Sequence, residues 1–453
     1  MDATTRRIVE FAQTLNYEHL PPKAIHAAKA RLLDSIGVGL AAFMAPPVRI
    51  LRRVTPSVQQ PWSARIWGSG QRTTPDHAAL VNGTMVRYLD LNDAYRTLDA
   101  SHPSDNLPGL MAVCEALGLG GQALILALAI SFEIQCRFTD TVPFNDAGWD
   151  QPLVGSFAAA LGAGRIMGLN DEQMGHALAL AAVPHMPTYQ TRSGELSMWK
   201  GCAGPNGARH GVFAARLAQE GMTGPYNAFD GIFGLWKQGL GKPGEFRLPR
   251  PGDGSTPGIM QTNIKKFPVR DSCQLPIDTA LDLRGKVAPS RIRKLAVDTY
   301  KSAYAGAVAD PELWRPDTRE TADHSMPFSI ACALADGEVT ADSFENQRFK
   351  GADVLSLIGM MTIDINPEFS KATPAIRNCR ITATLDDGST VVAHRQLTTA
   401  EIERGTPDAV LEAKFERMVR PLLSPAMRRS LIDLCWRLDE LPRVDPLVDA
   451  TLL

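Results

Sequence analysis

Residues 247–258 read Arg-Leu-Pro-Arg-Pro-Gly-Asp-Gly-Ser-Thr-Pro-Gly, three prolines and three glycines in twelve positions. Each proline removes an amide donor and each glycine raises the entropic cost of order, so neither helix nor strand continues through. The stretch predicts a domain boundary, and the texture of the chain changes across it. On the N-terminal side Ala28, Leu32, Ile36 and Leu40 recur at i, i+4 and draw one apolar helical stripe. Residues 156–182 are rich in Ala and Gly, which lets helices approach closely. Within them Asn170 precedes Gln173 by three, a capping pair, so two helices joined at 168–170 are expected.

Beyond the boundary, strand-like runs occupy 294–300, 361–365, 380–385 and 390–395. The last two flank Asp386-Asp387-Gly388-Ser389, where Asp and Gly tolerate the positive φ of a tight hairpin turn. Residues 327–334 and 341–349 read as helices. Thr406-Pro407 predicts an N-cap with proline at the first helical position, and helical texture runs to about 441 with a break at Ser424-Pro425. The expected fold is mainly α. A large all-helical domain is built from both chain ends, 1–258 and 402–453, with a smaller α+β lid domain, 259–401, inserted between them.

Composition narrows the function. Lys and Arg number 47 against 49 Asp and Glu, a net charge of −2, so no nucleic-acid partner is expected; phosphate binding needs a basic face. No basic run exceeds two residues, which argues against a polybasic membrane patch. The apolar run 123–130 falls short of the roughly 20 residues that span a bilayer. Residues 1–17 carry Arg6 and Arg7 but no apolar h-region, and Ile8, Phe11 and Leu15 predict a packed helix, so a cytoplasmic protein is expected. Seven cysteines without a CxxC pair point to buried thiols, with no disulfide framework and no bound metal. Gly118-x-Gly120-x-x-Ala123 mimics a dinucleotide fingerprint, but it follows a helical segment and lacks a βαβ setting.

Four segments carry candidate chemistry. In Asp90-Leu91-Asn92-Asp93 and Ser101-His102-Pro103-Ser104-Asp105, the two aspartates are spaced to share a face at a helix end. His102 leads into a helix that Ser104 or Asp105 would cap, and such an end can hold an anionic group while His102 shuttles a proton. A structural histidine is the alternative. In Arg192-Ser193-Gly194 to Trp199-Lys200-Gly201, Lys200 is a desolvated carboxylate anchor or proton donor, or else a snorkelling surface lysine. Lys265-Lys266-Phe267-Pro268-Val269-Arg270-Asp271-Ser272-Cys273 is a solvated charge run or a carboxylate clamp, with Cys273 read as a buried thiol. In Asp323-His324-Ser325, His324 is a site residue or, the favoured reading, bonds Asp323 and caps the next helix.

Together these segments resemble the MmgE/PrpD family, which includes 2-methylcitrate dehydratase and cis-aconitate decarboxylase. The match runs in order through Arg31-Leu32-Leu33-Asp34-Ser35-Ile36-Gly37, the 82–104 block, 199–204, Glu220-Gly221-Met222-Thr223-Gly224-Pro225, 265–278 and 321–337. The resemblance implies a homodimer and a site between domains that needs no cofactor. It implies Asp90, His102 and Lys200 as catalytic residues. Asp93, Ser104, Arg192, Lys265, Ser272 and His324 are the expected substrate-binding set. It also marks departures: Ala94 where members carry Thr, Gln151 and Ser272 in place of histidines, and Phe328 in place of a lid tyrosine. Gln, Ser and Phe do not titrate near neutral pH.

Three functions follow. The favoured one is a lyase or isomerase on a small polycarboxylate: Lys200 and Lys265 neutralise carboxylates and stabilise enolate-like charge, and His102, oriented by Asp90, exchanges a carbon-bound proton. The second is a 2-methylcitrate-type dehydratase in which Cys273, Asp271 or His324 substitutes for the missing groups. The third is an organic-acid-binding protein without turnover.

Overall fold

The structure is a computed structural model that describes residues 1–240, 246, 248–249 and 253–453. Part of the predicted boundary, residues 247 and 250–252, lies outside the described residues. The fold is mainly α. Helix α1 (Ala3–Thr14) starts at Asp2, whose carboxylate accepts the Thr5 N–H at 2.7 Å. It is followed by α2 (Pro22–Ala41), α3 (Pro46–Val54), α4 (Pro75–Tyr88), α5 (Leu107–Leu117), α6 (Gly121–Thr141), α7 (Pro152–Ile166), α8 (Asp171–Ala182) and α9 (Lys200–Gln219). The Ala/Gly stretch is the expected pair α7 and α8. Gly168 adopts φ +74° between them, and Asn170 and Gln173 form a reciprocal capping box. Close packing is the use of the small residues here: a Cβ on Gly211 of α9 would lie 2.3 Å from the Ser156 carbonyl of α7.

The first apolar core gathers residues from Ile8 to Ile264 and again from Leu411 to Val448, so the tail returns to the N-terminal helices. Helix Asp408–Val419 lies along α2 so closely that a Cβ on Gly37 would fall 2.8 Å from Phe415 Cδ2. Pro407 is the residue before that helix rather than its first, one position later than expected. The expected break at Ser424-Pro425 is the start of a new helix, Pro425–Trp436, which Ser424 caps with proline in its first turn. The second core runs from Val269 to Ala393, so the apolar packing changes hands between Ile264 and Val269, a few residues beyond the composition break.

The helical part is not free of strand. β1 (Ala64–Arg65) pairs with β2 (Arg72–Thr73), and β3 (Asp93–Arg96) pairs with both β4 (Ala100–Ser101) and β5 (Asn263–Ile264). The α+β part holds the sheet β7-β6-β8-β9, formed by β6 (Ile292–Thr299), β7 (Met361–Ile365), β8 (Ile376–Leu385) and β9 (Thr390–Thr398). β6 and β7 are parallel and the remaining pairs antiparallel. Along β8 Cys379, Ile381, Ala383 and Leu385 are buried, the period-2 face of a half-covered sheet. The β8–β9 turn is the expected hairpin, but Gly388 alone takes a positive φ, +81°. Asp387 instead accepts the Ser389 N–H at 2.9 Å.

Helix α6 is long and apolar enough by composition to cross a membrane, yet 78% of its apolar window is buried inside the fold. If the tail completes the first core, Phe415→Ala should destabilise the protein by about 3–5 kcal/mol, the usual cost of deleting a buried ring. Denaturant unfolding reads this out; a loss near zero would detach the tail from that core.

Candidate active site

Helix α4 ends at Tyr88, and two residues later Asp90 takes φ +51°, unusual for a residue with a side chain. That turn drives the Asp90 carboxylate inward, where it is fully buried. Arg87, on the last turn of α4, donates Nη1–H to Asp90 Oδ1 at 2.6 Å. Lys265, just after β5, bonds the same oxygen and donates to the Asp90 carbonyl at 3.0 Å. Lys200, the first residue of α9, stands 3.3 Å from Asp90 Oδ2 and 2.5 Å from both oxygens of Asp323. Burial alone would raise the Asp90 carboxyl, but Arg87, Lys265 and Lys200 outweigh it and hold it well below the usual range. From behind, Lys414 of the tail pairs with Asp34 at 2.6 Å and donates to the Leu91 and Lys265 carbonyls at 2.8 and 2.9 Å. The returning tail thus fixes the turn that carries Asp90.

Asp93 does not share a helix face with Asp90; it lies in β3. Its Oδ1 accepts the Ser104 N–H at 3.1 Å and its carbonyl accepts His102 Nδ1–H at 2.7 Å. Because a carbonyl only accepts, His102 carries its proton on Nδ1, and Nε2 accepts from Arg87 Nη2 at 3.1 Å. Burial, Arg87 and Lys265 together push the His102 pKa well below its ordinary value. The expected caps are absent. His102 precedes a 3-10 turn, Pro103–Asn106, and neither Ser104 nor Asp105 caps α5. Ser104 Oγ accepts from Asn92 at 2.9 Å, and Asp105 accepts from Asn92 and Gln151 at 3.2 and 3.0 Å. Burial raises Asp105 to about 6 despite Arg87.

His102, Arg87 and Asp90 line a small cavity together with Tyr189, Arg192, Arg270 and His324. Its volume is about 40 Å³, room for about three ordered waters at roughly 10–15 Å³ each. Arg192 donates to Asp150 through Nε at 3.1 Å and to the Lys200 carbonyl through Nη1 at 3.0 Å. Its Nη2, the Nε of Arg270 and the Nε of Arg87 are buried donors without partners. His324 donates Nδ1–H to Asp323 at 2.6 Å, which leaves Nε2 as its free nitrogen. Burial and Lys200 push its pKa down to about 3. The adjacent residue Ser325, not His324, caps the following helix.

A cleft of about 1410 Å³ lies on the other side of the 88–91 turn, lined by Tyr88, Leu91, Lys265 and Met418 among others. Volume favours that cleft, but none of its lining residues has a buried unpartnered polar atom among the described residues, whereas Arg87, Arg192 and Arg270 do. Buried donors that lack partners are costly, which makes the smaller cavity the candidate site. Asp90, Asp323 and His324 could together offer a cation three ligand atoms within 4.8 Å of one another. The Lys200 ammonium already sits against both carboxylates, so the donor set is neutralised and poorly suited to a metal ion.

The structure therefore brings Asp90, His102, Lys200, Lys265 and His324 into one network and sets Arg192 on its cavity. It keeps Asp93, Ser104 and Ser272 out of the cavity lining: Asp93 and Ser104 shape the His102 turn, and Ser272 is buried with its Oγ unpartnered. Lys200 and Lys265 face carboxylates of the protein rather than the cavity, and Asp90 reaches His102 only through Arg87. Cys273 is a buried thiol, pushed up to about 12 by burial, and it faces the His324 carbonyl outside the cavity lining. Phe328 packs against Phe344 and Phe349 in the second core, outside the cavity lining, so it replaces no group there. Ala94 and Gln151 do line it, and the Gln151 amide is occupied by His102 N–H, Gln135 and Asp105. Sequence reading missed Arg87, Arg270, Tyr189 and Asp323 as site residues. Arg87 left one signal, an arginine on the last turn of a helix, three residues before Asp90.

Two family models match the chain: the MmgE/PrpD N-terminal domain over residues 6–247 and the MmgE/PrpD C-terminal domain over residues 267–438. Among curated proteins, the cis-aconitate decarboxylase of Homo sapiens is 27% identical over 94% of this chain and 90% of its own length. The 2-methylcitrate dehydratase of Escherichia coli K12 is 28% identical over 75% of this chain and 74% of its own. The 2-methylcitrate dehydratase of Cupriavidus necator is 26% identical over 82% and 81%.

The Asp105 shift has a stability consequence. Its folded pKa, about 6, lies above the unfolded value of 3.8, so its contribution is fully present below pH 3.8 and is lost as pH rises through 6. Asp105→Asn, which cannot ionise, should flatten melting temperature against pH over that window. A variant whose slope matches the wild type would mean that Asp105 titrates normally.

Proposed function

The chain belongs to the MmgE/PrpD family, and on that basis we propose that it is a cofactor-independent lyase or isomerase acting on a small di- or tricarboxylic acid. At the coarser level it is a dehydratase- or decarboxylase-like lyase, as its relatives are. The observation that carries the finer reading is a cavity lined by three arginines, Arg87, Arg192 and Arg270, each with one unpartnered buried guanidinium nitrogen, and by two neutral imidazoles. Guanidinium forks match carboxylate geometry, and a donor-rich pocket selects a substrate with more than one carboxylate.

The chemistry follows from charge. In the empty site His102 and His324 are poor bases because burial disfavours their charged forms and nearby cations, Arg87 and Lys265 for one and Lys200 for the other, add to that. A bound polycarboxylate brings negative charge into the same low-dielectric space and raises the proton affinity of both rings. His102 Nε2 then takes a proton from the carbon α to a carboxylate. The electron pair moves into that carboxylate as an enediolate, held by arginine N–H donors whose positions do not change during the step. His324, oriented by Asp323, takes up a proton from solvent on Nε2 as the acid binds and passes it to a departing hydroxyl, which leaves as water, or to the opposite face of the carbon; the proton held on His102 Nε2 returns to solvent after the product leaves. Lys200, Lys265 and Asp90 touch no substrate in this scheme; they position Arg87, His324 and the walls of the cavity. The cavity holds only a few waters, so binding requires the α+β part to draw away from the helical part and close again.

Turnover is tested in D₂O with citrate-like and aconitate-like acids. An enzyme of this kind incorporates deuterium at carbon, and His102→Ala abolishes the incorporation while the acid still raises the melting temperature. Ligand-dependent stabilisation without exchange in the wild type would instead establish a binding protein, and exchange that survives in His102→Ala would move the proton carrier elsewhere.

A further inference from the structure

His102 faces Arg87 in an arrangement that general-base action does not allow. Its Nδ1–H is committed to the Asp93 carbonyl at 2.7 Å, so Nε2 is the ring's sole lone pair. That lone pair is taken by Arg87 Nη2 at 3.1 Å. The same guanidinium gives Nη1 to Asp90 at 2.6 Å, while its Nε, 4.0 Å from Asp105, has no partner and is buried. Arg87 is thus anchored along one edge and poorly held along the other. It lines the cavity together with the ring it covers.

We infer that Arg87 is a substrate-operated mask on the catalytic base: a carboxylate entering the cavity captures the Nη2/Nε edge of Arg87 and draws it off His102 Nε2, which becomes free to take a proton only when the acid is bound. The inference rests on the polycarboxylate reading of the site and adds to it the group that couples binding to base strength. A carboxylate is a stronger acceptor for a guanidinium than a neutral imidazole and can take two N–H donors at once, so the exchange of partners is downhill once the acid is desolvated. The pivot is already present, because the Nη1–Asp90 bond can persist while the other edge turns. Asp90 is held in turn by Lys265 and Lys200, which fixes that end. The charged and titratable groups near the ring include Arg87 and Asp90 of the α4 end, Asp93 of β3, Asp105 and Lys265 beside β5, with Arg192, Arg270, Asp271 and His324 on the same cavity. The only one of these that donates to Nε2 is Arg87. The device has a use: an unmasked base in an empty, hydrated site would exchange protons with solvent or with monocarboxylates, and masking restricts it to acids that can reach Arg87.

Arg87 is a positioning residue in this account, and its test reads the imidazole directly. Protein labelled with ¹⁵N-histidine gives, for each ring, the tautomer and the hydrogen-bonding state of both nitrogens; His102→Gln identifies the signals. In the empty wild type His102 should show Nδ1–H with Nε2 as a strongly hydrogen-bonded acceptor. Saturation with tricarballylate, a tricarboxylate without a hydroxyl to eliminate, should shift Nε2 and leave Nδ1 bonded. In Arg87→Lys, which keeps the charge on Asp90 but lacks the fork, Nε2 should already be displaced in the empty protein, and KM for deuterium exchange should rise roughly tenfold or more. Arg87→Met should give the same Nε2 signal; the lysine variant carries the test if the methionine variant does not fold. An Nε2 signal unmoved by tricarballylate that does raise the melting temperature, or unmoved in Arg87→Lys, overturns the mask while leaving the polycarboxylate reading intact. If no polycarboxylate raises the melting temperature, the functional reading fails, and the empty Arg87→Lys spectrum still decides whether Arg87 covers Nε2.

Discussion

Two buried carboxylates, Asp90 and Asp323, are shared among Arg87, Lys200, Lys265 and Arg319, and almost every feature of the site follows from keeping these charges satisfied. A buried ion is tolerated only when opposite charge and hydrogen bonds surround it, and removing one partner from such a cluster costs about 3–5 kcal/mol. The members come from four parts of the chain: Arg87 and Asp90 from the end of α4, Lys200 from the start of α9, Lys265 from just after β5, and Arg319 and Asp323 from the short helix Arg319–Ala322 of the α+β part and its C-cap. The cluster is therefore the rivet between the two apolar cores. Asp90 adopts its left-handed backbone (φ +51°) where its carboxylate meets both lysines.

The same arrangement divides labour in the site. The lysines are spent on protein carboxylates, and the arginines are left with free edges. A lysine is a single compact charge suited to neutralising Asp90 or Asp323 in place. An arginine has enough donors to hold a wall carboxylate and a ligand at once. Arg192 illustrates this, with Nε on Asp150, Nη1 on the Lys200 carbonyl and Nη2 uncommitted. Burial, reinforced by the neighbouring cations, keeps both imidazoles neutral.

Much of this was legible in the sequence, for physical reasons that differ by element. The paired helices α7 and α8, the β8–β9 hairpin and the break at Ser424-Pro425 depend on local capping and turn chemistry, and they stand where the sequence puts them. Asp90, His102 and Lys200 were singled out by local clustering and by family resemblance, and they do meet in space. What stayed hidden is what depends on long-range pairing. Asp93 seemed to share a helix face with Asp90 because i, i+3 spacing implies one, yet pairing with β4 and β5 draws it into a strand. Arg87 sits on the last turn of α4, and Tyr189 starts a short 3-10 turn; each meets the cavity only through segments distant in sequence. Phe328 looked like a replaced site residue, whereas the second core claims it.

The most direct measurement is a crystal structure of the protein with citrate bound. The account predicts carboxylate oxygens within hydrogen-bond distance of Arg192 Nη2 and Arg270 Nε, in a cavity widened between the two cores, with Asp90 and Lys200 still paired. Citrate seated instead in the large cleft beside Lys265 and Met418, with the three arginine edges still unpartnered, would contradict it.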